Sequence, residues 1–489
     1  MNPSRAARAS VRSRIAAVDT DIMARIASTD SAALDQVMPR LSRLADHSVL
    51  WIAIAAGLAA TRSKWSRRAA LRGVASVAIA STAVNVVAKG LAGRGRPVES
   101  APLSRQLARA PRTTSFPSGH AASATAFATG VGLEIPALAG PVGALAAAVG
   151  ASRVVTGMHY PSDVVAGFML GATAGALTLR WWPRRPAQPA EAARPRHEAP
   201  AAPTGQGLVL VMNAGSGTTS PELADELRAE LPDASVIVAT EDDFARALRR
   251  AAKEAHILGV AGGDGSVNMA AALAVEESLP LLLIPAGTFN HFAADLGVWS
   301  VADALDALRA GDSVLVDVAT AGRQPFINTL STGVYVDLVH AREHLEDRLG
   351  KWPAVIVALM QVLRTSRPQE LIVDGRRRRL WLLFAGNCGY EPQGTAPSYR
   401  PDLADGQLDI RLVDGQQPLA RVRLVTAVML GTLARSRVYR TWTARSLRIA
   451  TPDGTPVHMA VDGEVTDAEP RLRIFKREKR LLVYRPDRE

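Results

Sequence analysis

Residues 183–206 read PRRPAQPAEAARPRHEAPAAPTGQ, with six prolines and no apolar periodicity. Such a stretch is semi-extended and presents no face to bury. It therefore divides the 489-residue chain into two parts with different patterns. Before it, Ala- and Gly-rich apolar runs occur near 49–60, 69–90, 120–133, 137–152 and 164–182. Each is short or small-residue-rich for a span of about 20 residues, yet small residues let helices pack closely in a bilayer. After it, short apolar strands run into Gly-containing loops: LVLVMN (208–213), SVIVA (235–239), AHILGVAGGDG (255–265) and LPLLLIPAGT (279–288). That is the pattern of a parallel α/β sheet. From about Asp312 strands and turns dominate, with helical inserts near 351–365 and 418–434.

Charge follows the same division. Residues 1–200 carry 24 Lys and Arg against 10 Asp and Glu, whereas the remainder carries 33 against 36. The excess positive charge thus lies with the longest apolar runs, as expected where Lys and Arg flank membrane spans. Nucleic acid is not an expected partner, since few aromatic residues are interleaved with the basic ones. The single cysteine, Cys388, excludes an intrachain disulfide and a cysteine zinc cluster. Residues 1–44 form an Arg-rich amphipathic segment, expected on the membrane surface.

Three clusters before the proline-rich stretch carry chemistry. Lys89 and Arg96-Pro97 form K-x6-R-P, residues 117–120 read Pro-Ser-Gly-His, and Ser152-Arg153, His159 and Asp163 form S-R-x5-H-x3-D. Lys and two Arg suit a phosphoryl group. Two histidines can divide attack on phosphorus from protonation of the leaving oxygen. Asp163 lies one helical turn after His159, placed to hold its imidazole. Singly, a Ser-Gly-His is a helix cap and an Arg at a span end is a snorkelling anchor. In an alternating bundle, however, Lys89, His120, Arg153 and His159 all fall at one membrane face, with Glu134-Ile-Pro136 turning at the other. Over roughly residues 45–182 the sequence resembles the type-2 phosphatidic-acid phosphatase superfamily. The resemblance implies His159 as nucleophile forming a phosphohistidine, His120 as acid and Asp163 as support for His159. Phosphate would be held by Lys89, Arg96, Ser118, Gly119, Ser152 and Arg153, with no cofactor. The chain departs from the family in showing fewer clear spans than six.

Beyond residue 206, Gly262-Gly263-Asp264-Gly265-Ser266 follows a buried strand and opens a helix, where backbone N–H groups can approach a phosphate. A lone GGDG is also a tight turn. Two further loops follow other strands: 213–218, with Asn213, Ser216 and Gly217, and 287–290, with Gly287, Thr288 and Asn290. Thr240, after the second strand, is counted with them. Ligands bind where parallel strands end. The set resembles the diacylglycerol-kinase catalytic family over about residues 207–485, with FAGNCGY (384–390), PDLADGQLD (401–409) and VDGE (461–464) matching late motifs. The resemblance implies ATP and Mg2+ bound by Asp264 and the loop glycines. It also implies Asp462 as the base for a lipid hydroxyl with Glu464 nearby, and a structural metal at Asp402 and Asp405. VDGE is also a plain hairpin turn. Ser266 stands where Thr is usual, Met269 where an acid commonly follows the Asn, and His291 where Asp is common.

The fold class expected is multidomain: an N-terminal all-α transmembrane helical bundle (45–182), then an α/β nucleotide-binding domain (207–311) with a β-rich second subdomain (312–489), joined by the 183–206 linker. The combined expectation is a bifunctional membrane enzyme, a lipid phosphatase and an ATP-dependent lipid kinase, with membrane lipids and ATP as partners and room for a homodimer through the kinase-like part. A single crossing by 164–182 would put the phosphatase site outside and the kinase-like part in the cytoplasm, with the basic loop Arg62–Arg72 also cytoplasmic. The basic loop 94–112 runs against that rule, and part of its charge is assigned to substrate phosphate. Two rivals stay open. One makes the second part a non-catalytic nucleotide or lipid sensor, motivated by Met269 and His291. The other gives it a soluble substrate such as NAD.

Overall fold

The computed structural model describes residues 3–487 except 62, 89–93, 108–112, 185, 187, 196, 218, 288–289, 395–396 and 418. Lys89 and Thr288, both expected to bind phosphate groups, lie outside the described residues. The chain forms two compact units, Met1–Arg184 and Arg185–Glu489.

The first unit is helical: α1 (Pro3–Ser28), α2 (Ala32–Leu44), α3 (Val49–Ala60), α4 (Lys64–Thr82), α5 (Gly119–Glu134), α6 (Pro136–Val155) and α7 (Pro161–Leu177). Helix α5 is the axle, packed on α4, α6 and α7. Its small residues decide this, because Ala121, Ala122, Ala124, Ala126 and Phe127 are all fully buried. A Cβ added at Gly171 of α7 would stand 2.2 Å from the Ala122 carbonyl oxygen, and one at Gly167 would stand 2.5 Å from that of Ser118. Only glycine allows these two backbones to touch.

Among the described residues, three helices are long and apolar enough to cross a membrane: Trp65–Val86, Pro136–Val155 and Pro161–Arg180. A fourth counts if Leu34–Leu44 and Asp46–Ala60, bent by 58°, make one broken span. At the end where the chain leaves this unit, Arg72 is fully buried and binds Glu134, Thr178 and the Trp182 carbonyl. Arg68 binds Glu134 at 2.7 Å and the Pro183 carbonyl at 2.6 Å. His159 precedes the other end of α7, about 25 Å away at 1.5 Å per residue.

Helix α1 corrects one expectation. Rather than merely resting on a membrane surface, it packs on the bundle. Buried Asp19 accepts from the Ser162 backbone N–H at 2.9 Å and hydroxyl at 2.6 Å, and from Arg94 at 2.7 Å. Met23 is buried with Ala121, Val154 and Val164. A carboxylate held by three donors is best kept out of lipid.

The second unit opens with four parallel strands, β1 (Leu208–Asn213), β2 (Ser235–Ala239), β3 (Ile257–Gly262) and β4 (Leu281–Pro285), in the order 2-1-3-4. Helices α8 (Pro221–Glu230), α9 (Glu241–Glu254) and α10 (Asp264–Glu277) connect them. The last strand, Arg471–Tyr484, returns to pair Val483 with Leu281 in parallel and runs antiparallel to Ser313–Ala321. It thereby joins the α/β part to an antiparallel region, and one sheet of 15 strands runs through both. Its two largest cores lie one around Leu210, Val260 and Leu283, the other around Leu330, Leu383 and Ile410.

The proline-rich stretch is not a free spacer. Its alanines bury small apolar faces on the second unit, with Ala190, Ala199 and Ala202 all in the first of those cores. The Ala190 N–H donates to the Asp295 carbonyl at 2.8 Å, Glu191 bridges Asp402 and Ala193 bridges Leu315.

Candidate functional site

In the first unit, helix ends bring the motif side chains together. His159 is buried, with Nε2 3.2 Å from Arg96 Nη1. Arg96 is fixed by the Met158, Thr113 and Thr114 carbonyls. Asp163 stands 3.8 Å from His159 Nδ1, beyond hydrogen-bond reach, and instead accepts from Arg94 at 2.9 Å and from the Tyr160 N–H at 3.0 Å. Burial pushes His159 down to about 4, so its imidazole is neutral near pH 7. Ser118 caps α5, and Gly119 and His120 form its first turn, where N–H groups have no helical partner. His120 Nε2 meets Asp46 at 2.8 Å. Arg153, buried, is held by the Ser42 hydroxyl at 2.6 Å.

Four buried polar atoms in this network have no hydrogen-bond partner among the described residues: Arg153 Nε, His159 Nδ1, Thr114 Oγ1 and Ser115 Oγ. Unpaired buried polar atoms are costly; here Arg153 Nε and the two hydroxyls suit an oxyanion, while His159 Nδ1 is the nitrogen turned toward Asp163. Ser152 departs from its expected place. Its hydroxyl donates to the Val149 carbonyl at 2.7 Å within its own helix rather than to the neighbouring motif side chains.

In the second unit, three loops meet at the ends of β1, β3 and β4. Asn213 donates to Ser266 at 2.9 Å and accepts from the Gly215 N–H at 3.0 Å. Asn290 accepts from the Gly287 N–H at 2.9 Å, and Asp264 accepts from the His291 N–H at 2.7 Å, tying the second loop to the third. A Cβ at Gly287 would stand 2.3 Å from Gly263 Cα, and one at Gly263 would stand 3.4 Å from Ser216 Oγ. This backbone cradle would be filled by any side chain, and it fits a polyphosphate. Glu464 borders it, 3.6 Å from a Cβ placed on Gly265. Gly217 lies in the first loop, although no contact defines its role. Thr240 is the N-cap residue of α9 and donates to Asp243 at 3.4 Å, between Ala239, whose carbonyl accepts from the Ala214 N–H, and Glu241, which lies against Gly215 of the first loop.

Asp462, with φ +51°, accepts from the N–H groups of Ile327 (2.9 Å), Asn328 (2.9 Å) and Thr329 (2.7 Å). Burial nevertheless pushes its carboxyl up to about 6, against those three donors. Its backbone carbonyl accepts from Asn268, on the helix that the GGDG loop opens, at 3.3 Å.

The residues at Asp402 and Asp405 do not fit a divalent metal. Asp402 accepts from the Ala404 N–H, and Asp405 turns to the Gly389 and Gln407 N–H groups. Asp405 gathers instead with Asp317 and Cys388, and the Lys476 ammonium already fills that cluster. Lys476 Nζ lies 2.7 Å from Asn387 Oδ1, 2.9 Å from Cys388 Sγ, 3.4 Å from Asp317 and 3.7 Å from Asp405. Burial pushes the Cys388 thiol up to about 12, so it is no thiolate ligand.

Two family models match, the PAP2 superfamily over residues 70–187 and the diacylglycerol kinase catalytic domain over 207–321. Decaprenylphosphoryl-5-phosphoribose phosphatase of Mycobacterium tuberculosis is 38% identical over 141 residues, 28% of this chain and 74% of that protein. The chain belongs to the PAP2 superfamily through its first unit and carries a diacylglycerol kinase catalytic domain in its second. Diacylglycerol kinase of M. tuberculosis is 26% identical over 220 residues, 42% of this chain and 69% of that protein. A solved diacylglycerol kinase from Bacillus anthracis str. Sterne covers 57% of this chain and 97% of its own, at 20% identity and TM-score 0.41. The chain spans half the length of a further relative, the Synechocystis protein sll0036, at 26% identity.

Several residues now placed at the two domains' sites were not singled out from sequence. In the PAP2 domain, Asp46 and Ser42 reach His120 and Arg153 from the α2–α3 corner, while Asp19 and Arg94 hold the Asp163 corner. In the kinase-family domain, Arg400 is buried against Asp295 at 2.8 Å and donates to Asn328 beside Asp462. Asn268, within the GGDG helix, was the one legible in place.

Proposed function

We propose that this chain is a bifunctional membrane enzyme that dephosphorylates a lipid phosphate at one site and phosphorylates a lipid alcohol from ATP at the other. The observation that carries the reading is the group of unpaired buried donors around the two histidines, on a chain that also has a separate glycine cradle.

At the first site, neutral His159 attacks phosphorus through Nε2, the nitrogen beside Arg96, while Asp163 steadies the charge that grows on the ring. Arg96, Arg153 and the first N–H groups of α5 take the phosphoryl oxygens, with Lys89 as a further cation. His120 gives its proton to the leaving alkoxide as the P–O bond breaks. It takes one from the water that then attacks the phosphohistidine. The mycobacterial relative's name favours a polyprenyl-linked phosphate as the substrate class.

At the second site, Asp462 takes the proton of the lipid hydroxyl as that oxygen attacks the γ-phosphorus. A base poised near 6 is well matched to this task. The cradle N–H groups orient the phosphates, and Asp264 and Glu464 are the carboxylates that would hold Mg2+, which offsets phosphate charge when bound with the nucleotide. With ATP in the cytoplasm and the chain leaving the bundle at the end opposite His159, the phosphatase site faces outward across the cell membrane.

Quenching in alkaline detergent during turnover of a polyprenyl phosphate labelled in its phosphate tests the first half. A base-stable, acid-labile phosphoprotein, absent in His159→Ala, is the expected outcome. Turnover without any such species would contradict the nucleophile assignment.

A further inference from the structure

Helices α2 and α3 meet at a corner bent by 58°, and the corner is strained. His47 (φ 54°, ψ 23°) and Ser48 (φ 62°, ψ 15°) are both left-handed, although neither is glycine. Successive residues in that region persist only where their surroundings hold them, and such strain gathers at functional sites. Here it aims a carboxylate. Asp46 Oδ1 lies 2.8 Å from His120 Nε2 and 3.6 Å from Arg153 Nη1. Ser42, four residues earlier, grips the same Arg153 nitrogen. The run that follows, Val49–Ala60, carries no charged residue, so Asp46 is an isolated acid at the head of an apolar helix. Ionisable groups in such places are functional by default.

We propose that Asp46 is a positioning residue for His120 in the phosphatase reaction, an inference that rests on the phosphatase reading above. A carboxylate only accepts, so His120 Nε2 carries a proton toward Asp46 and Nδ1 is the nitrogen that exchanges a proton with the leaving oxygen and then with water. The charged groups facing His120 are Asp46 from the corner, Arg153 from α6 and Arg96 from the segment before α5, with His47 beside Asp46. The two arginines that hold phosphate also oppose a protonated imidazole. Asp46 offsets them, so that one pocket can hold both an anion and its acid.

The test compares two substrates in detergent-solubilised full-length protein: dioleoyl phosphatidic acid, whose alkoxide leaving group needs a proton, and p-nitrophenyl phosphate, whose leaving group needs little help. General acid catalysis contributes about 10²–10⁴-fold. Asp46→Asn should therefore lower kcat/KM, which reports only the phosphoenzyme-forming step, at least ~10-fold more for phosphatidic acid than for nitrophenyl phosphate. The alkaline limb of its pH profile should also move to lower pH. Asp46→Glu should restore part of the alkyl-ester rate, which a folding defect would not allow. Equal losses on both substrates would overturn the proposal in favour of a structural role. Equal gains would overturn it by showing that Asp46 merely occupies the phosphate pocket. Wild-type protein inert toward both and toward a polyprenyl phosphate, with His159→Ala no different, would instead remove the phosphatase reading, and the Asp46 role with it.

Discussion

The two proposed sites would hold the same chemical group by opposite means. In the PAP2 domain, the candidate site is built from side chains at helix ends, with Arg96, Arg153, His120 and His159 drawn from separate segments. In the kinase-family domain, the cradle is backbone, and its essential residues are those with no side chain, Gly263 and Gly287. A side-chain site fails one function at a time when a residue is changed. A backbone site fails by being filled.

The largest expected effect separates these modes most sharply. His159→Ala should reduce phosphate release at least ~10³-fold, with Mg-ATP affinity of the same preparation unaltered by calorimetry. A parallel loss of nucleotide binding would show that the two sites are not independent. Gly287→Ala is the complementary case. Its Cβ would collide with Gly263 Cα, and Mg-ATP should bind at least ~10-fold more weakly, about 1.4 kcal/mol, with phosphatase rates retained.

Next in size is Lys476→Met. It leaves Asp317 and Asp405 without their buried cation, and removing one partner from a buried ion pair costs about 3–5 kcal/mol. The second unit should unfold at a clearly lower temperature. An unchanged melting curve would show that the cluster is held by other donors.

The smallest effect is a pH dependence confined to the kinase-family domain. The Asp462 carboxyl lies near 6 in the folded chain, against ~3.9 unfolded. The base form is lost as pH falls through 6, so phosphoryl transfer should drop about tenfold per unit below that. The stability consequence has the opposite sense. A raised carboxyl favours the folded state at low pH, and this contribution is lost as pH rises from about 4 through 6. A rate profile flat between pH 5 and 7 would argue against Asp462 as the base.

What could be read from sequence follows the same contrast. Glycine loops at strand ends are local, so GGDG and the loops at 213 and 287 were legible as one site. Helix ends were legible too, because His120, Arg153 and His159 fall where apolar runs begin or stop. Partners supplied from far away were not. Asp46 lies 74 residues before His120, and nothing in its neighbourhood marks it as the acid that meets that histidine. Cys388 carried no signal, yet it sits against Lys476, 88 residues on, in the cluster where a metal was expected near Asp405. The prolines of 183–206 signalled a spacer correctly in conformation, but the alanines between them determine that it is packed down.

The most direct measurement is lipid labelling by His159→Ala protein in proteoliposomes, given γ-labelled Mg-ATP and a panel of diacylglycerols and polyprenols. The account predicts a labelled lipid phosphate that accumulates in this variant and is absent when Asp462→Ala is added. No labelled lipid from protein that binds Mg-ATP would contradict it, leaving a phosphatase joined to a nucleotide-sensing domain.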